Sequence, residues 1–225
     1  MDAVRRMLDM AGIGPDDYVV DLGSGDGRIL LTSATEYGVE RALGVDIDPW
    51  LVDYAADKAT AAGVAQRVRF VQGDLFETDF FDADVLTMYL LPELNLRLRP
   101  LILSQMKPGT RIVSHSFDMG EWTPDAKDHV HLRDVYLWIV PARVGGRWRL
   151  EREGLAPVDL EFEQRFQRVT ASASANGQAL DTGAVELDGA EISFRLDGRR
   201  YHGHVDTDTI RPLEGADWSA RRLRR

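Results

Sequence analysis

Two patterns of hydrophobic and polar residues divide the chain near residue 140. Before that point, short apolar runs typical of buried strands alternate with stretches of helical periodicity, as in a parallel sheet covered by helices. Beyond Pro141 the helical periodicity fades, and short alternating runs follow one another between turns. We therefore predict an α/β, doubly wound, mostly parallel Rossmann-like domain over residues 1–140 and an antiparallel β region over residues 141–225.

Capping and chain-breaking residues set the limits of the elements in the first region. Asp48 is a favourable N-cap, and Pro49 suits the first turn of the helix that follows it. Gly38 and a Pro-Gly turn at residues 107–109 end two other helices. Helices are predicted over residues 2–11, 27–38, 49–63 and 92–106, and strands over residues 18–22, 41–46, 67–71, 83–89, 110–115 and 134–140.

Hairpin turns dominate the second region. Asp-Gly pairs at residues 188–189 and 197–198 lie between short alternating runs, which is a strong hairpin pattern. Strands over residues 190–196 and 200–205 should pair across the second turn. Residues 158–171 fit a helix face or a strand face, with the strand favoured; residues 171–177 are predicted as a flexible loop and residues 221–225 as a frayed tail.

Acidic residues are concentrated in the first region. The 225 residues carry a net charge of −10, and all of it falls on residues 1–140, with 23 acidic and 13 basic side chains against 14 of each in residues 141–225. Nucleic-acid-binding surfaces usually carry a basic stripe, so we expect no nucleic-acid partner and consider a cationic one compatible. The acidity also has an ordinary explanation, because net charge limits self-association.

Cysteine and long apolar segments are both missing from the sequence. Without cysteine the chain has no disulfide framework, thiolate zinc site or cysteine nucleophile. Since no run of about 18 apolar residues occurs and the charged N-terminus does not resemble a signal peptide, we expect a cytoplasmic protein without a membrane segment. The pairs His129/His131 and His202/His204 lack an evident third ligand, so no metal site is predicted. The oligomeric state stays open.

A glycine-rich turn joins the first predicted strand to the helix that follows it. Gly23, Gly25 and Gly27 would let the backbone approach a ligand closely, as at nucleotide sites. The dinucleotide fingerprint G-x-G-x-x-G/A requires a small residue at position 28, which is Arg28. The pattern is instead D-x-G-x-G-x-G, and its leading Asp21 would face an ammonium group well and a pyrophosphate badly.

Two more carboxylates follow the next two strands. Asp46 ends the second strand and Asp74 follows the third, where open α/β sheets bind ligands. Alone, each has an ordinary explanation as a helix-start or turn residue. Together with Asp21 they suit S-adenosylmethionine (SAM), which offers an ammonium group, ribose hydroxyls and an adenine amino group as donors. The predicted cofactor-binding residues are Asp21, Gly23, Ser24, Gly25, Gly27, Asp46, Ile47, Asp74 and Leu75.

Residues 20–28, 44–52 and 73–75 resemble the first three motifs of class I SAM-dependent methyltransferases. Within that superfamily the chain is similar to the mitochondrial protein-lysine methyltransferases of the ATP synthase c subunit and the adenine nucleotide translocase. Those enzymes share an Asp/Asn-Pro-Trp-Leu-Val segment and a later segment ending in Trp-Thr-Pro-Asp, here residues 122–125. The resemblance covers about residues 1–140 and implies methyl transfer to a protein lysine. Compared with those enzymes, we expect the chain to lack their membrane segment and to add the C-terminal β region.

Three residues are predicted to face the methyl acceptor. Tyr89, at the end of the fourth strand, would use its ring face or hydroxyl. His115 titrates near neutrality and could take a proton, and Asp118 could orient His115 or the acceptor. Each also has a structural explanation, as a packed tyrosine, a core histidine or a loop acid. The segment lacks the Asn/Asp-Pro-Pro-Tyr tetrad typical of enzymes that methylate planar nitrogens.

Other functions remain open at this point. The acceptor could be a small molecule rather than a protein, and a sealed pocket over Tyr89 would favour that alternative. A module that binds SAM without catalysis would show no turnover with any acceptor. An oxidoreductase is disfavoured by Arg28 at the dinucleotide fingerprint.

Overall fold

The computed structural model describes residues 3–215 and 217–223. Its chain divides between Val140 and Pro141 into two units, which we call unit 1 (residues 1–140) and unit 2 (residues 141–225). Within the described residues, no helix is both long and apolar enough to cross a membrane.

Strands and helices alternate over most of unit 1. The predicted elements are present to within two residues at their ends, and residue 2 lies outside the described residues. The helices are α1 (Ala3–Ala11), α2 (Arg28–Glu36), α3 (Pro49–Ala61) and α4 (Pro92–Gln105). The strands are β1 (Tyr18–Leu22), β2 (Arg41–Asp46), β3 (Val68–Gln72), β4 (Val85–Met88), β5 (Arg111–His115), β6 (Ala126–Val130) and β7 (Arg133–Ile139).

The seven strands of unit 1 form one sheet in the order β3-β2-β1-β4-β5-β7-β6. The first five in that order are parallel neighbours, and β7 and β6 extend the sheet in antiparallel pairs. The predicted α/β class with a mostly parallel sheet is confirmed. Chain order reverses between β1 and β4, and ligands of open α/β sheets bind at the carboxyl ends of the strands beside such a reversal.

Edge strand β6 was not predicted. Its residues Ala126–Val130 are mostly charged or polar, and only Val130 is buried. Hydrophobic alternation detects half-buried strands, so a polar strand paired on one side with β7 leaves no such pattern. The central strands are the opposite case, since all four residues of β4 are buried.

The first residues of α2 and α3 explain two sequence features. Asp48 caps α3 by accepting a 2.9 Å hydrogen bond from the backbone N–H of Trp50, as the Asp-Pro pair predicted. Gly27 precedes α2 in a left-handed conformation with a φ of 76°. A Cβ atom at Gly27 would lie 2.6 Å from the Phe70 ring, so any other residue there would have to displace that ring.

Unit 2 is an antiparallel sheet of nine strands around an aromatic core. Its order is β11-β10-β9-β8-β16-β15-β14-β13-β12, and a bridge between Thr182 and Leu196 ties the segment after β11 to β13. The strands are β8 (Gly146–Arg152), β9 (Leu155–Arg165), β10 (Arg168–Ala175), β11 (Gln178–Leu180), β12 (Glu186–Asp188), β13 (Glu191–Leu196), β14 (Arg199–Asp206), β15 (Thr209–Pro212) and β16 (Trp218–Arg222). The largest buried side chains include Trp148, Phe162, Phe194 and Tyr201.

The predicted hairpins of unit 2 are confirmed, whereas the loop predicted at residues 171–177 is wrong and the frayed tail predicted at residues 221–225 is wrong for Arg221 and Arg222. Asp197 and Gly198 form the turn between β13 and β14, which pair as expected, whereas Asp188 ends β12 and Gly189 begins the turn before β13. Residues 158–171 form strands, interrupted by a turn after Arg165. The predicted loop at residues 171–177 belongs largely to β10, because its small side chains are held by pairing with β9 rather than by their own propensity. Arg221 and Arg222 lie in β16, and residues 224–225 lie outside the described residues.

Candidate active site

Asp21 lies in β1 with almost no exposure to solvent, at 2%. The hydroxyl of Thr87, on neighbouring β4, donates a 2.8 Å hydrogen bond to its Oδ1. Burial above all, opposed by the hydrogen bond from Thr87 and assisted by the nearby side chains of Asp46 and Asp26, raises the pKa of Asp21 to about 8. The side chain is therefore a buried acid that becomes a carboxylate readily only when a positive charge comes close.

The glycine-rich turn is tied to β2 by backbone hydrogen bonds. The N–H groups of Gly23 and Ser24 both donate to the carbonyl oxygen of Val45, at 2.8 and 3.0 Å. Ser24 is 5% exposed, and its Oγ has no hydrogen-bond partner within the described part of the chain. A buried hydroxyl without a partner costs free energy unless a ligand or water meets it.

Asp46 joins the glycine-rich turn to the start of α3. Its Oδ2 accepts the N–H of Gly25 at 2.8 Å, and its Oδ1 accepts the N–H of Asp48 at 3.0 Å. The side chain is half-buried, and an ionised carboxylate has about four acceptor positions. Asp46 thus keeps capacity for further donors while it holds both loops in place.

Asp74 lies close to Asp46 at the carboxyl ends of β1, β2 and β3, which we call the rim of unit 1. The N–H of Gly73 donates to the backbone carbonyl of Asp46 at 3.0 Å, which links the two loops. Asp74 is exposed, and its Oδ1 accepts the N–H of Phe76 at 2.8 Å. The structure therefore brings the ends of β2 and β3 together.

A cavity of about 340 Å³ opens at this rim. This volume falls in the range of small-molecule sites. Five of the predicted cofactor residues line the cavity: Gly23, Asp46, Ile47, Asp74 and Leu75. The other four predicted residues, Asp21, Ser24, Gly25 and Gly27, belong to β1 and the turn behind it.

The cavity also has walls that sequence reasoning missed. Arg97 from α4 stacks on Phe76, with its guanidinium carbon 3.8 Å from the ring centroid. Leu90 and Leu94 complete that side. The three-residue spacing of Leu94 and Arg97, which puts both on one face of the helix after β4, could have indicated these positions.

The residues present fit SAM. Carboxylates dominate the polar groups of the rim, and a buried one suits an ammonium group. The partnerless Oγ of Ser24 provides a further polar atom under the glycine-rich turn. Among the described residues that line the cavity, Arg97 is the one basic residue, and it is stacked on an aromatic ring.

An aromatic cluster lies at the ends of the neighbouring strands β4 and β5. Tyr89 follows β4 and is 54% exposed. Its ring centroid lies 4.7 Å from that of His115 and 6.3 Å from that of Phe117, whose ring is nearly parallel to it at 11°. Phe117 was missed from the sequence, although its place two residues after β5 was a usable indication.

His115 and Asp118 do not form the pair that the sequence suggested. Burial, and secondarily the charge of Arg133, lower the pKa of His115 below its usual value. Asp118 is exposed, and its Oδ1 accepts the N–H of Gly120 at 3.0 Å. No hydrogen bond joins Asp118 to His115 in residues 3–215, because the turn of the loop directs the carboxylate to its own backbone.

One histidine of each His-x-His pair has an acidic partner. His129 Nδ1 lies 2.9 Å from an oxygen of Asp134, and His202 Nε2 lies 3.3 Å from an oxygen of Glu191. Within residues 3–215 and 217–223, no three potential metal ligands lie close enough together to hold a metal ion.

The chain is similar to known methyltransferases, which agrees with a SAM site at the rim. Residues 21–126 match the family model of the ANTKMT methyltransferase domain. A protein-lysine N-methyltransferase of Saccharolobus islandicus is 41% identical over 143 residues, which cover 61% of this chain and 88% of that protein. The Mus musculus lysine N-methyltransferase of the ATP synthase c subunit is 28% identical over 163 residues, covering 72% of this chain and 64% of the mouse protein.

One similar protein has a solved structure with a bound ligand. A protein of Salinibacter ruber, described as an RNA methyltransferase in complex with S-adenosyl-L-homocysteine, is 48% identical with a TM-score of 0.61. The match covers 63% of this chain and 92% of that one. The family model ends at residue 126, so unit 2 lies outside it. The chain is therefore a SAM-dependent methyltransferase and belongs to the same family as the Saccharolobus islandicus protein, and its residues 21–126 match the ANTKMT methyltransferase domain.

Proposed function

We propose that the chain transfers the methyl group of SAM to the side-chain amine of a lysine in a protein. The proposal assigns the cofactor to the rim of unit 1 and the acceptor to the aromatic cluster beside it. Its cofactor-binding residues are Asp21, Gly23, Ser24, Gly25, Gly27, Asp46, Ile47, Asp74 and Leu75, and its acceptor-facing residues are Tyr89, His115 and Asp118.

In this proposal each of three carboxylates contacts a different part of the cofactor. Asp21 accepts from the ammonium group, Asp46 accepts from the ribose hydroxyls with its remaining lone pairs, and Asp74 accepts from the adenine amino group. SAM, when bound, supplies a methyl group already activated by a positively charged sulfur. The protein's own task is therefore proximity and orientation, which contribute up to about 7–11 kcal/mol in favourable cases.

The acceptor side suits a long-chain amine. The face of an exposed aromatic ring attracts an ammonium group, and Tyr89 offers such a ring. The amine must lose its proton before it can attack the methyl group. Because the pKa of His115 is lowered, its imidazole is neutral at neutral pH and can accept that proton. The single observation that carries the proposal is this packing of exposed Tyr89 on His115 at 4.7 Å.

Two other acceptors are weaker candidates. RNA is suggested by the description of the Salinibacter ruber relative, but the net charge of −10 on residues 1–140 opposes an RNA backbone. The curated relatives from Saccharolobus islandicus and Mus musculus are named as lysine N-methyltransferases instead. A small molecule would favour a closed pocket, whereas Tyr89 is 54% exposed.

The acceptor is tested by incubating the protein with methyl-labelled SAM and a cell lysate. We expect label in macromolecules that protease removes and nuclease does not, and ε-N-methyllysine after acid hydrolysis. Label that only nuclease removes, or label confined to small molecules, would contradict the lysine proposal.

Variants of one tyrosine test the acceptor-facing role. Tyr89→Ala should lower transfer about 10- to 100-fold through loss of orientation, with the affinity for SAM unchanged. Tyr89→Phe keeps the ring face and should stay within about threefold of the original rate. The matched control is Tyr54→Ala, which removes another exposed tyrosine, stacked on Trp50 in α3. Equal losses in Tyr89→Ala and Tyr54→Ala would refute the role of Tyr89.

A further inference from the structure

The loop after β5 begins with a strained turn. Ser116 has a φ of 70°, which is uncommon for a residue with a side chain. The N–H of Phe117 donates to the carbonyl of His115 at 2.9 Å, so the turn closes over only three residues. Such a conformation persists only where surrounding groups hold it.

Asn95 of α4 reaches this loop from the interior. Its side chain is 0% exposed, and its Nδ2 lies 3.3 Å from each of three acceptors. Two of the acceptors are the backbone carbonyls of Phe117 and Asp118, and the third is Oγ of Ser114. One buried amide thus contacts both residues that follow the strained turn.

Stability alone does not account for an asparagine at this position. Its Oδ1 is buried and accepts no hydrogen bond from residues 3–215 or 217–223. An apolar side chain of the same shape would avoid the cost of burying that oxygen. The donors of the amide are the feature that an apolar residue cannot supply.

A second side chain acts on the same carbonyl. The hydroxyl of Ser114 donates to the carbonyl of Phe117 at 2.7 Å. Asn95 and Ser114 together fix the backbone of Phe117, whose ring lies nearly parallel to that of Tyr89.

We propose that Asn95 is a positioning residue for the methyl acceptor, which it serves by holding the loop that carries Phe117 and Asp118 against Tyr89. The proposal rests on the proposed function for the location of the acceptor. Asn95 touches neither acceptor nor cofactor in this scheme, so its loss should affect acceptor use and leave SAM binding intact.

The test compares Asn95→Leu with Ser33→Ala. Ser33 is a matched control because its hydroxyl is also 0% exposed and donates within α2, to the carbonyl of Leu30. In Asn95→Leu we expect kcat/KM for the acceptor to fall about 10- to 100-fold. The Kd for SAM should stay within about twofold, and Ser33→Ala should change neither quantity.

Hydrogen exchange provides a readout that needs no acceptor. Amide exchange of residues 116–120 should rise about tenfold or more in Asn95→Leu and stay unchanged in Ser33→Ala. If no lysine substrate exists but exchange rises as expected, the lysine proposal fails while the control of the loop by Asn95 stands. Unchanged exchange, or faster exchange with unchanged acceptor kinetics, overturns the positioning role.

A second variant keeps the test decisive if Asn95→Leu does not fold. Ser114→Ala removes the other side-chain donor to the carbonyl of Phe117. It should raise exchange of the same segment and lower acceptor kcat/KM by about three- to tenfold, again without a change in SAM affinity. Parallel losses of acceptor use and SAM affinity in Ser114→Ala would contradict the proposal.

Discussion

The hydroxyl of Thr87 donates a 2.8 Å hydrogen bond to Oδ1 of Asp21, two side chains that face each other across the central parallel pair β1 and β4. Both are buried, and the hydrogen bond lowers the pKa of the acid less than burial raises it. Asp21 is therefore a group whose protonation depends on whether a cation lies beside it. This dependence leads to two predictions.

The first prediction concerns the stability of the protein without cofactor. The pKa of Asp21 is raised from 3.8 to about 8 in the folded protein, so the folded state retains a proton that the unfolded state loses. Stability should then fall as pH rises from about 4 to about 8. Between about pH 5 and pH 7 the free energy of unfolding should drop by up to about 2–3 kcal/mol from this group.

Asp21→Asn serves as the comparison, since the amide cannot ionise. Urea unfolding of both proteins without SAM at several pH values measures the difference. We expect the variant to gain stability relative to the original protein as pH rises. A difference that does not change with pH would show that Asp21 is ionised in the folded state.

The second prediction concerns proton release on binding. If the ammonium group of SAM lies beside Asp21, its positive charge lowers the pKa of the carboxyl group. Binding near pH 6.5 should then release up to about one proton. Calorimetry in two buffers of different ionisation enthalpy measures that release, which should disappear in Asp21→Asn. Equal binding enthalpies in the two buffers would argue against an ammonium group at this position.

The third prediction compares the effects of removing two neighbouring acidic side chains, those of Asp46 and Asp48. Asp46→Ala removes the acceptor for the N–H groups of Gly25 and Asp48, so both the glycine-rich turn and the proposed ribose contact are lost. We expect SAM affinity to fall about 100-fold. Asp48→Ala removes the N-cap of α3 and should cost about 1 kcal/mol of stability with SAM affinity little changed. Comparable losses of SAM affinity in both variants would contradict the assignment of Asp46.

The fourth prediction compares two glycines with similar backbone angles. Gly27 and Gly63 have φ values of 76° and 71°. A Cβ atom at Gly27 would lie 2.6 Å from the Phe70 ring, whereas nothing lies within 4 Å at Gly63. Gly63→Ala should cost about 1 kcal/mol for the left-handed conformation alone. Gly27→Ala adds the collision and should cost about 1–3 kcal/mol more in urea unfolding. Equal costs would mean that Phe70 moves aside freely.

Local patterns were enough for the elements that bury apolar residues or carry turn residues. Asp48 with Pro49 marked the start of α3, and the Asp-Gly pair at residues 197–198 marked the turn between β13 and β14. In such cases the information lies within a few neighbouring residues. Strand β6 and the Ala/Ser-rich strand β10 escaped prediction because pairing with neighbouring strands, not their own side chains, determines them.

The chain sequence by itself determined the class of the sheet, the order of the carboxylates Asp21, Asp46 and Asp74 along it, and the resemblance to SAM-dependent methyltransferases. Only the tertiary structure decided which side chains from distant segments meet. It stacks Arg97 on Phe76 at the cavity wall, directs Asp118 to the backbone of its own loop, and brings Asn95 beneath the loop after β5. The hydrogen bond of Asp118 depends on the turn of its own loop. The contacts of Arg97 and Asn95 join residues far apart in the chain, and their distances depend on how helix α4 packs, which no periodicity in the sequence encodes.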